Sequence, residues 1–209
     1  MATEEGTTGS GPKPAERPVL GLLGGVASGK STVAGILADR GLLVLDADQM
    51  AREVVTQPEV LRGLVERFGA DVLAPDGTLD RAALADRAFR DEDSTAALNA
   101  LVHPPVRAQL LAALQVEPDR AVVLDVPLLL ESPLAGWVTT WIFIDSDSDS
   151  RDARTLARGW PAGDRAQREK RQTDLTVKRS HADEVLENKG DIGDLEGAVD
   201  ALLDRLGVT

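Results

Sequence analysis

The sequence contains no cysteine, which excludes disulfide bonds within the chain and catalysis by a thiol. That composition fits a reducing compartment, so we expect a cytoplasmic protein. No run of about 18 consecutive apolar residues occurs, and we therefore expect no membrane-spanning helix. The formal net charge of -12 disfavours a general binder of nucleic acid or of anionic membranes, because such proteins present basic surfaces.

The composition is that of one globular unit preceded by a polar segment. With 209 residues, 43% of them hydrophobic, the chain can bury the core of a single domain. Residues 1–17 are small and polar and lack the apolar core of a signal peptide, so we expect a disordered tail there and a domain over 18–209. Charge is uneven, because residues 151–179 hold nine Lys or Arg against four Asp or Glu. This basic segment is where we look for phosphate contacts.

Short apolar runs alternate with helical patterns along the chain. The runs that predict strands are 18–24, 42–48, 121–126, 138–144 and, as a last short strand, 184–187. The segments that predict helices are 30–40, 49–115 with breaks at Ala74-Pro-Asp-Gly and His103-Pro-Pro, 151–182 and 195–206. This alternation predicts an α/β fold in which helices flank a mainly parallel sheet.

The segment Gly24–Ser31 reads Gly-Gly-Val-Ala-Ser-Gly-Lys-Ser and matches the phosphate-binding pattern G-x-x-x-x-G-K-[ST]. It lies between a predicted strand and a predicted helix, where the helix N-terminus adds positive potential. In this pattern the lysine reaches the terminal phosphates and Ser31 binds Mg²⁺. We therefore predict that the nucleotide is bound by Gly25, Val26, Ala27, Ser28, Gly29, Lys30, Ser31 and Thr32.

A phosphate loop alone does not separate a kinase from a GTPase or a motor, so the acceptor side has to decide. Asp46-Ala-Asp48 ends the second predicted strand, and Arg52 follows one helical turn later. If the first two strands are neighbours, Asp48 lies beside the loop and can accept the proton of an attacking hydroxyl. The alternative is that Asp48 caps the helix and pairs with Arg52 at the surface.

The ordered set of motifs resembles the dephospho-coenzyme A kinase family over about residues 19–191. The matching segments are Gly21–Thr32, Asp46-Ala-Asp48 with Arg52, Asn99–Pro104, Pro127–Glu131, Arg154 with Arg158, Gln172, Ala182-Asp183 and Asn188-Lys-Gly190. Apart from the phosphate loop each motif is weak, and the resemblance depends on their common order and spacing.

The resemblance implies a P-loop NTPase fold and the ATP-dependent phosphorylation of the ribose 3′-hydroxyl of dephospho-coenzyme A. Asp48 would be the base, and residues 49–115 would form a helical acceptor-binding insertion. Residues 151–182 would form a helical lid whose Arg154 and Arg158 neutralise the transferring phosphoryl group, with Lys30 as a further catalytic residue. The acceptor would be bound by Asp48, Arg52, His103, Pro127, Leu128 and Glu131, and the adenine of ATP would lie near Asn188 and Gly190.

Several residues depart from the family pattern or add to it. Leu23 and Ala27 replace more usual residues of the loop region, and Pro105 extends the His-Pro motif. Asp125 closes an apolar run as a metal-binding carboxylate would, and we treat it with Ser31 as a candidate Mg²⁺ ligand. The three tryptophans, Trp137, Trp141 and Trp160, are interpreted as packing residues, although Trp160 falls within the predicted lid.

Two other functions compete with this interpretation. Asn188-Lys-Gly-Asp191 matches the N-K-x-D sequence with which GTPases bind guanine, but D-x-x-G occurs only afterwards, at Asp194-Leu-Glu-Gly197. Too few residues follow for the strand, loop and helix that such a protein needs. A phosphate-loop kinase with another small acceptor, such as a nucleotide or sugar acid, is the nearer alternative.

Overall fold

A computed structural model describes residues 17–116, 119–126, 128–170 and 172–208. These residues form a parallel sheet of five strands in the order β2-β3-β1-β4-β5. The strands are β1 (Val19–Gly24), β2 (Leu43–Asp46), β3 (Val122–Asp125), β4 (Thr140–Asp145) and β5 (Glu184–Glu187). The predicted α/β fold with a parallel sheet is confirmed.

Helices cover both faces of this sheet. They are α1 (Lys30–Asp39), α2 (Ala47–Val54), α3 (Pro58–Phe68), α4 (Arg81–Ala88), α5 (Glu92–Val116), α6 (Ser148–Ala157), α7 (Asp164–Glu169), α8 (Leu175–His181) and α9 (Ile192–Leu206). Short 3-10 turns lie at Ala70–Val72, Leu129–Glu131 and Pro133–Trp137.

Strand β1 is buried along its whole length and divides the core into two halves. Val19 and Leu23 join the half that contains side chains of α2–α5, whereas Leu20 and Leu22 join the half that contains α1 and α9. Successive side chains of a strand point to opposite faces, so an uninterrupted apolar run can serve both halves. Each fully buried leucine contributes about 1.5–3 kcal/mol to stability. This burial fixes the strand that leads into the phosphate loop.

The first two strands are not neighbours, because β3 lies between them. β3 pairs with β1 through Leu124 and Gly21, and with β2 through Asp125 and Asp46. The connection through α1 therefore passes over one strand position, which the later strand fills. All these strands are parallel, so their carboxyl ends open into one crevice, the place where ligands bind in such sheets. Asp46 and Asp125 reach this crevice together.

The predicted break at His103-Pro104-Pro105 is also wrong, since α5 continues through both prolines. A proline inside a helix removes a hydrogen bond and normally bends or ends it. Here one face of α5 is buried on the core by a stripe of apolar side chains, namely Val102, Val106, Leu110 and Leu114. Their spacing of four residues holds the helix against the core on both sides of the prolines. Packing has overridden local propensity.

The segments predicted as insertion and lid are both helical in the structure. Residues 47–116 hold α2–α5, and the segment predicted as a lid contains α7, α8 and most of α6. Residues 1–16 of the predicted tail lie outside the described residues. Arg17, also assigned to that tail, is 6% exposed and donates to the carbonyl of Leu114 at 2.6 Å. The roles of insertion and lid remain predictions.

Candidate active site

The loop Gly24–Ser31 joins β1 to α1 and lines a cavity of about 640 Å³. Gly29 has φ 100°, outside the region open to other residues, and a Cβ there would overlap the amide nitrogen of Asn188. The loop closes through Ser28 N–H donating to the Gly25 carbonyl at 3.2 Å. Predicted nucleotide-binding residues Val26, Ala27, Ser28, Gly29, Lys30, Ser31 and Thr32 line the cavity.

Two predicted site residues support the loop without lining the cavity. Buried Asn188 donates from Nδ2 to the Ser28 carbonyl at 2.7 Å. Arg154 donates from Nη1 to the carbonyls of Ala27 and Ser28, each at 3.2 Å, and to Ser146 Oγ at 2.9 Å. Three hydrogen bonds from these two side chains thus satisfy the carbonyls of Ala27 and Ser28, which would otherwise be unpaired in the interior. In this conformation Arg154 braces the loop.

Gly25 and Gly190 also lie outside the residues that line the cavity. A Cβ on Gly25 would overlap the guanidinium of Arg151 and the carboxylate of Glu169, so the lid segment packs directly on the loop backbone. Gly190 is exposed in the turn before α9, where Asp191 and Asp194 form a capping box.

Lys30 enters the cavity from the first turn of α1. Its Nζ donates to the carbonyls of Gly25 at 3.1 Å and Gly24 at 3.4 Å. Burial lowers the pKa of Lys30, while the nearby Asp125 carboxylate acts in the opposite direction. Burial raises the pKa of Asp125; Lys30 opposes this shift, whereas Asp46 adds to it. The cavity therefore contains opposite charges in a poorly hydrated setting, where they interact more strongly than in water.

Asp48 and Arg52 line the same cavity as Lys30. The N-cap of α2 is Asp46, whose carboxylate accepts the Gln49 N–H at 2.9 Å, so Asp48 does not cap the helix. Partial burial raises the pKa of Asp48, Asp46 raises it further, and Arg52 opposes both. A raised pKa makes a carboxylate a better proton acceptor. The geometry thus favours Asp48 as a base over Asp48 as a cap.

The other predicted acceptor residues are divided between the cavity and the surface. Leu128 and Glu131 line the cavity on the segment after β3. Leu128 has φ 53°, an uncommon value for a residue other than glycine. His103 is exposed on α5 and is not among the residues that line the cavity. Pro127 lies outside the described residues.

The lid segment contributes two residues that sequence reasoning did not single out, Arg168 and Lys178. Arg168 stacks on the ring of Trp160 with its guanidinium carbon 3.9 Å from the ring centroid, and both line the cavity together with the predicted Arg158. Lys178 also lines the cavity and is 6% exposed. The local excess of basic residues pointed to this segment but not to particular positions.

A carboxylate of the lid segment already contacts the phosphate loop. Glu169 Oε1 accepts the N–H of Val26 at 3.0 Å. Glu169 is held by a partly buried ion pair with Arg151 and by Arg165 at 2.7 Å. An anionic oxygen on a loop amide is the type of contact that a phosphate would make.

The fold and this site define the chain as a nucleotide-binding protein of the phosphate-loop kinase class. A parallel sheet carries the loop at its carboxyl edge, Lys30 and Asp48 share one cavity, and side chains of α7, of α8 and of the segment after α6 line one side. No helix in the described part of the chain is both long and apolar enough to cross a membrane.

Comparisons with known proteins give the family. The family model described as dephospho-CoA kinase matches residues 18–194, and the chain belongs to this family. The dephospho-CoA kinase of Deinococcus radiodurans is 45% identical over 194 residues, which cover 91% of this chain and 93% of the relative. That of Corynebacterium glutamicum is 40% identical over 190 residues, covering 88% and 94%.

Solved structures agree on the fold. A crystal structure of a Thermus thermophilus protein aligns with TM-score 0.76 and 35% identity, covering 91% of this chain and 98% of that one. Dephospho-CoA kinase from Campylobacter jejuni aligns with TM-score 0.67 and 20% identity, covering 91% and 97%, and supports the fold alone. The predicted family and P-loop NTPase fold are confirmed.

Proposed function

We propose that this chain transfers the γ-phosphoryl group of ATP to the ribose 3′-hydroxyl of dephospho-coenzyme A, which yields coenzyme A and ADP. The observation that carries the proposal is that Asp48, with its raised pKa, and Lys30 of the phosphate loop line one cavity. Family membership supplies the identity of the acceptor.

The phosphates of ATP would lie in the loop at the N-terminus of α1. The backbone N–H groups of the loop and the α1 dipole attract the phosphate oxygens, and Lys30 donates to the terminal phosphates. Binding would require Glu169 to release the Val26 N–H, so that the contact with α7 is exchanged for one with the nucleotide. Asn188 and Arg154 keep the loop in shape from behind.

Mg²⁺ fits the oxygen atoms that the cavity offers. Ser31 and Asp125 both line it, and an alcohol and a carboxylate are the hard oxygen ligands that Mg²⁺ prefers. No group of three or more acidic or histidine side chains within the described ranges could hold a metal. That is typical of Mg²⁺ sites in which the nucleotide phosphates and water supply the other ligands. Bound there, the ion would neutralise phosphate charge during transfer.

Asp48 would accept the proton of the 3′-hydroxyl while the 3′-oxygen of the ribose attacks the γ-phosphorus. The new bond joins the 3′-oxygen to phosphorus, and the bond between phosphorus and the bridging oxygen of ADP breaks. Lys30 and Arg158 would remain protonated and stabilise the charge on the transferring group. A positioned base of this type contributes about 10²- to 10⁴-fold to the rate.

The acceptor would enter beside α2 and the segment after β3. Arg52, Leu128 and Glu131 line this part of the cavity. We propose residues 49–115 as the acceptor-binding insertion, because α2 both carries Asp48 and packs on α5. The exposed His103 on α5 and Pro127 remain predicted contacts with parts of the acceptor outside the phosphate cavity.

The GTPase interpretation is less consistent with this geometry. Asp191, which would have to bind guanine, is the N-cap of α9 and accepts the Asp194 N–H at 3.0 Å. Asp194–Gly197, the D-x-x-G string, lies within α9. We further propose a cytoplasmic location, which the absence of cysteine favours. The net charge of -12 supports a small-molecule acceptor without nucleic-acid partners.

Steady-state ADP release with a panel of acceptors tests the proposal. We expect kcat/KM for dephospho-coenzyme A to exceed that for adenylate, shikimate or gluconate by at least about 10³-fold, because a site with polar partners for one acceptor leaves them unpaired with others. Efficient turnover of another acceptor and none of dephospho-coenzyme A would reject it. ATP alone measures the background, and GTP in place of ATP tests the switch alternative.

A further inference from the structure

Lys178 on α8 is a buried lysine that faces the cavity of the phosphate loop. It is 6% exposed and lines the cavity together with Lys30, Glu131 and Gln172. Lysine is almost never this buried unless it is paired with a negative charge. The buried ammonium of Lys178 therefore requires a negatively charged partner.

The protein partners of Lys178 are neutral. Its Nζ donates to Gln172 Oε1 at 2.8 Å and to the Gly24 carbonyl at 3.4 Å. No carboxylate in the described part of the chain lies within 4.0 Å of that nitrogen. An ammonium group has three N–H donors. At least one of them thus has no acceptor among the described residues.

Lys178 and Lys30 converge on one point of the loop. Both donate to the carbonyl of Gly24, in each case at 3.4 Å. Burial lowers the pKa of Lys178, although Glu131 and Glu169 act in the opposite direction, and the charge of Lys178 in turn lowers the pKa of Lys30. Two poorly hydrated cations that repel each other form a site for a multiply charged anion.

The position of Lys178 indicates which part of a bound ATP it could contact, namely the terminal phosphate. Gly24 begins the loop, whereas the amides at Gly29 and Lys30 that open α1 lie at its other end. Glu131, whose charge acts on Lys178, lies on the side where the acceptor is proposed to enter. The ammonium of Lys178 thus lies close to that of Lys30 in the cavity that Glu131 also lines, which is where the proposed transfer would bring the terminal phosphate.

We propose that Lys178 is a catalytic residue that donates a hydrogen bond to the γ-phosphoryl group of ATP while that group moves to the acceptor. The inference deepens the function proposed above and rests on it. The bonds that form and break are those of that transfer, between phosphorus and the 3′-oxygen and between phosphorus and ADP. Lys178 keeps its proton and balances charge on the transferring oxygens.

A purely structural role would give different results. In that case Lys178 only ties Gln172 and the Gly24 carbonyl together, and its loss would weaken every nucleotide equally. If Lys178 contacts the γ-phosphate, its removal instead lowers the affinity for ATP more than the affinity for ADP. The ratio of the two affinities separates the roles, whatever the effect on stability.

Calorimetric titration of ATP and of ADP with Mg²⁺, without acceptor, provides the test. For Lys178→Met we expect ATP affinity to fall about tenfold and ADP affinity by less than about threefold, as for loss of one charge-assisted hydrogen bond. Lys178→Arg, which keeps the charge, should restore much of the difference. Arg205→Met, which removes an exposed cation of α9 outside the predicted lid, is the control and should bind both nucleotides as the wild type does.

Equal losses for ATP and ADP, or no loss for either, would overturn the proposal. Lys178→Gln retains a neutral donor for the Gly24 carbonyl and replaces the methionine variant if that variant does not fold. No acceptor is present in these titrations, so they report on Lys178 even if dephospho-coenzyme A proves not to be the substrate. Failure of the wild type to turn over dephospho-coenzyme A would instead reject the proposed function.

Discussion

The nucleotide side and the acceptor side of the cavity are built differently. The loop backbone is held at the Ser28 carbonyl by Asn188 and Arg154, and at the Val26 N–H by Glu169. On the acceptor side Asp48 and Arg52 are exposed side chains. The first half is therefore organised by the protein itself, whereas we propose that the acceptor completes the contacts of the second half. Substitutions on the two sides should accordingly affect different quantities.

The largest effect is expected at Asp48. Asp48→Asn should reduce kcat by about 10²- to 10⁴-fold, because the side chain can no longer accept a proton. The affinity for ATP should remain within about threefold of the wild-type value, since Asp48 lies on the proposed acceptor side of the cavity. Steady-state kinetics and ATP titration measure the two quantities. Asp86→Asn, at an exposed position of α4, is the control, and near-normal turnover of the Asp48 variant would reassign the base.

On the nucleotide side the strongest effect is expected at Gly29. Gly29→Ala places a Cβ against Asn188 at φ 100°, so the loop must shift and ATP affinity should fall more than about tenfold. Gly35→Ala is the matched control, because Gly35 lies within α1 and a Cβ there meets nothing within 4 Å. Alanine is the better helix former by about 1 kcal/mol, so this control should raise the Tm. Unchanged ATP binding by the Gly29 variant would contradict the loop geometry.

Substitutions of Arg154 and Arg158 should distinguish structural support of the phosphate loop from a catalytic role. Arg154→Met removes bonds to loop carbonyls and should lower both the Tm and ATP affinity, the latter about tenfold. Arg158→Met alters a side chain that is exposed and lines the cavity, so kcat should fall with little change in Tm. Thermal melts and kinetics of both variants test the distinction. A lower kcat with normal Tm and ATP affinity for Arg154→Met would return that residue to the predicted catalytic role.

The pH dependence should report on the acceptor side. Partial burial, reinforced by the charge of Asp46, raises the pKa of Asp48 above its ordinary value of 3.8, so kcat should fall with decreasing pH at a midpoint above 3.8. Between the ordinary and the raised pKa the folded state binds more protons than the unfolded state, and Asp48 therefore lowers stability as pH rises through that window. Asp48→Asn should thus not reduce the Tm at pH 7. A marked loss of Tm would show that Asp48 stabilises the fold.

The smallest effect is expected from Ala27→Gly, which restores a more usual residue of the family. Ala27 has φ 60°, in the left-handed region, where a residue other than glycine costs about 1–2 kcal/mol. Glycine relieves this cost but loses more conformational entropy on folding, so the free energy of unfolding should change by less than about 1 kcal/mol. Chemical denaturation and ATP titration should therefore resemble those of the wild type. A large loss of ATP affinity would mean that the methyl group of Ala27 contributes to binding.

Local patterns predicted the elements of the fold better than their arrangement. The strand over 184–187 and the phosphate loop were each predicted from a short local segment, the loop from one motif. The placement of β3 between β1 and β2 depends on pairing between distant segments, which no single segment encodes. The continuation of α5 through Pro104 and Pro105 depends on burial of its apolar face. Both features depend on tertiary contacts, and only the continuity of α5 overturned a prediction made from local preference.

The site residues also divide into those that local patterns predict and those that depend on tertiary packing. Lys30, Ser31 and Asp48 could be predicted, because a motif or a strand end fixes where their side chains go. Lys178 and Glu169 could not, since a charged residue on a helix is usually solvated and only packing shows that these two face the loop. Arg154 was predicted to be in the site, and its contacts with the carbonyls behind the loop appear only in the structure.

Identification of the reaction product tests the central claim most directly. The protein is incubated with ATP, Mg²⁺ and dephospho-coenzyme A, and ³¹P NMR follows the mixture, with Lys30→Met as the inactive control. The account predicts that ADP and a new phosphomonoester on the ribose 3′-oxygen form in equal amounts. ATP consumption without that ester, or an ester on any other oxygen, would contradict it.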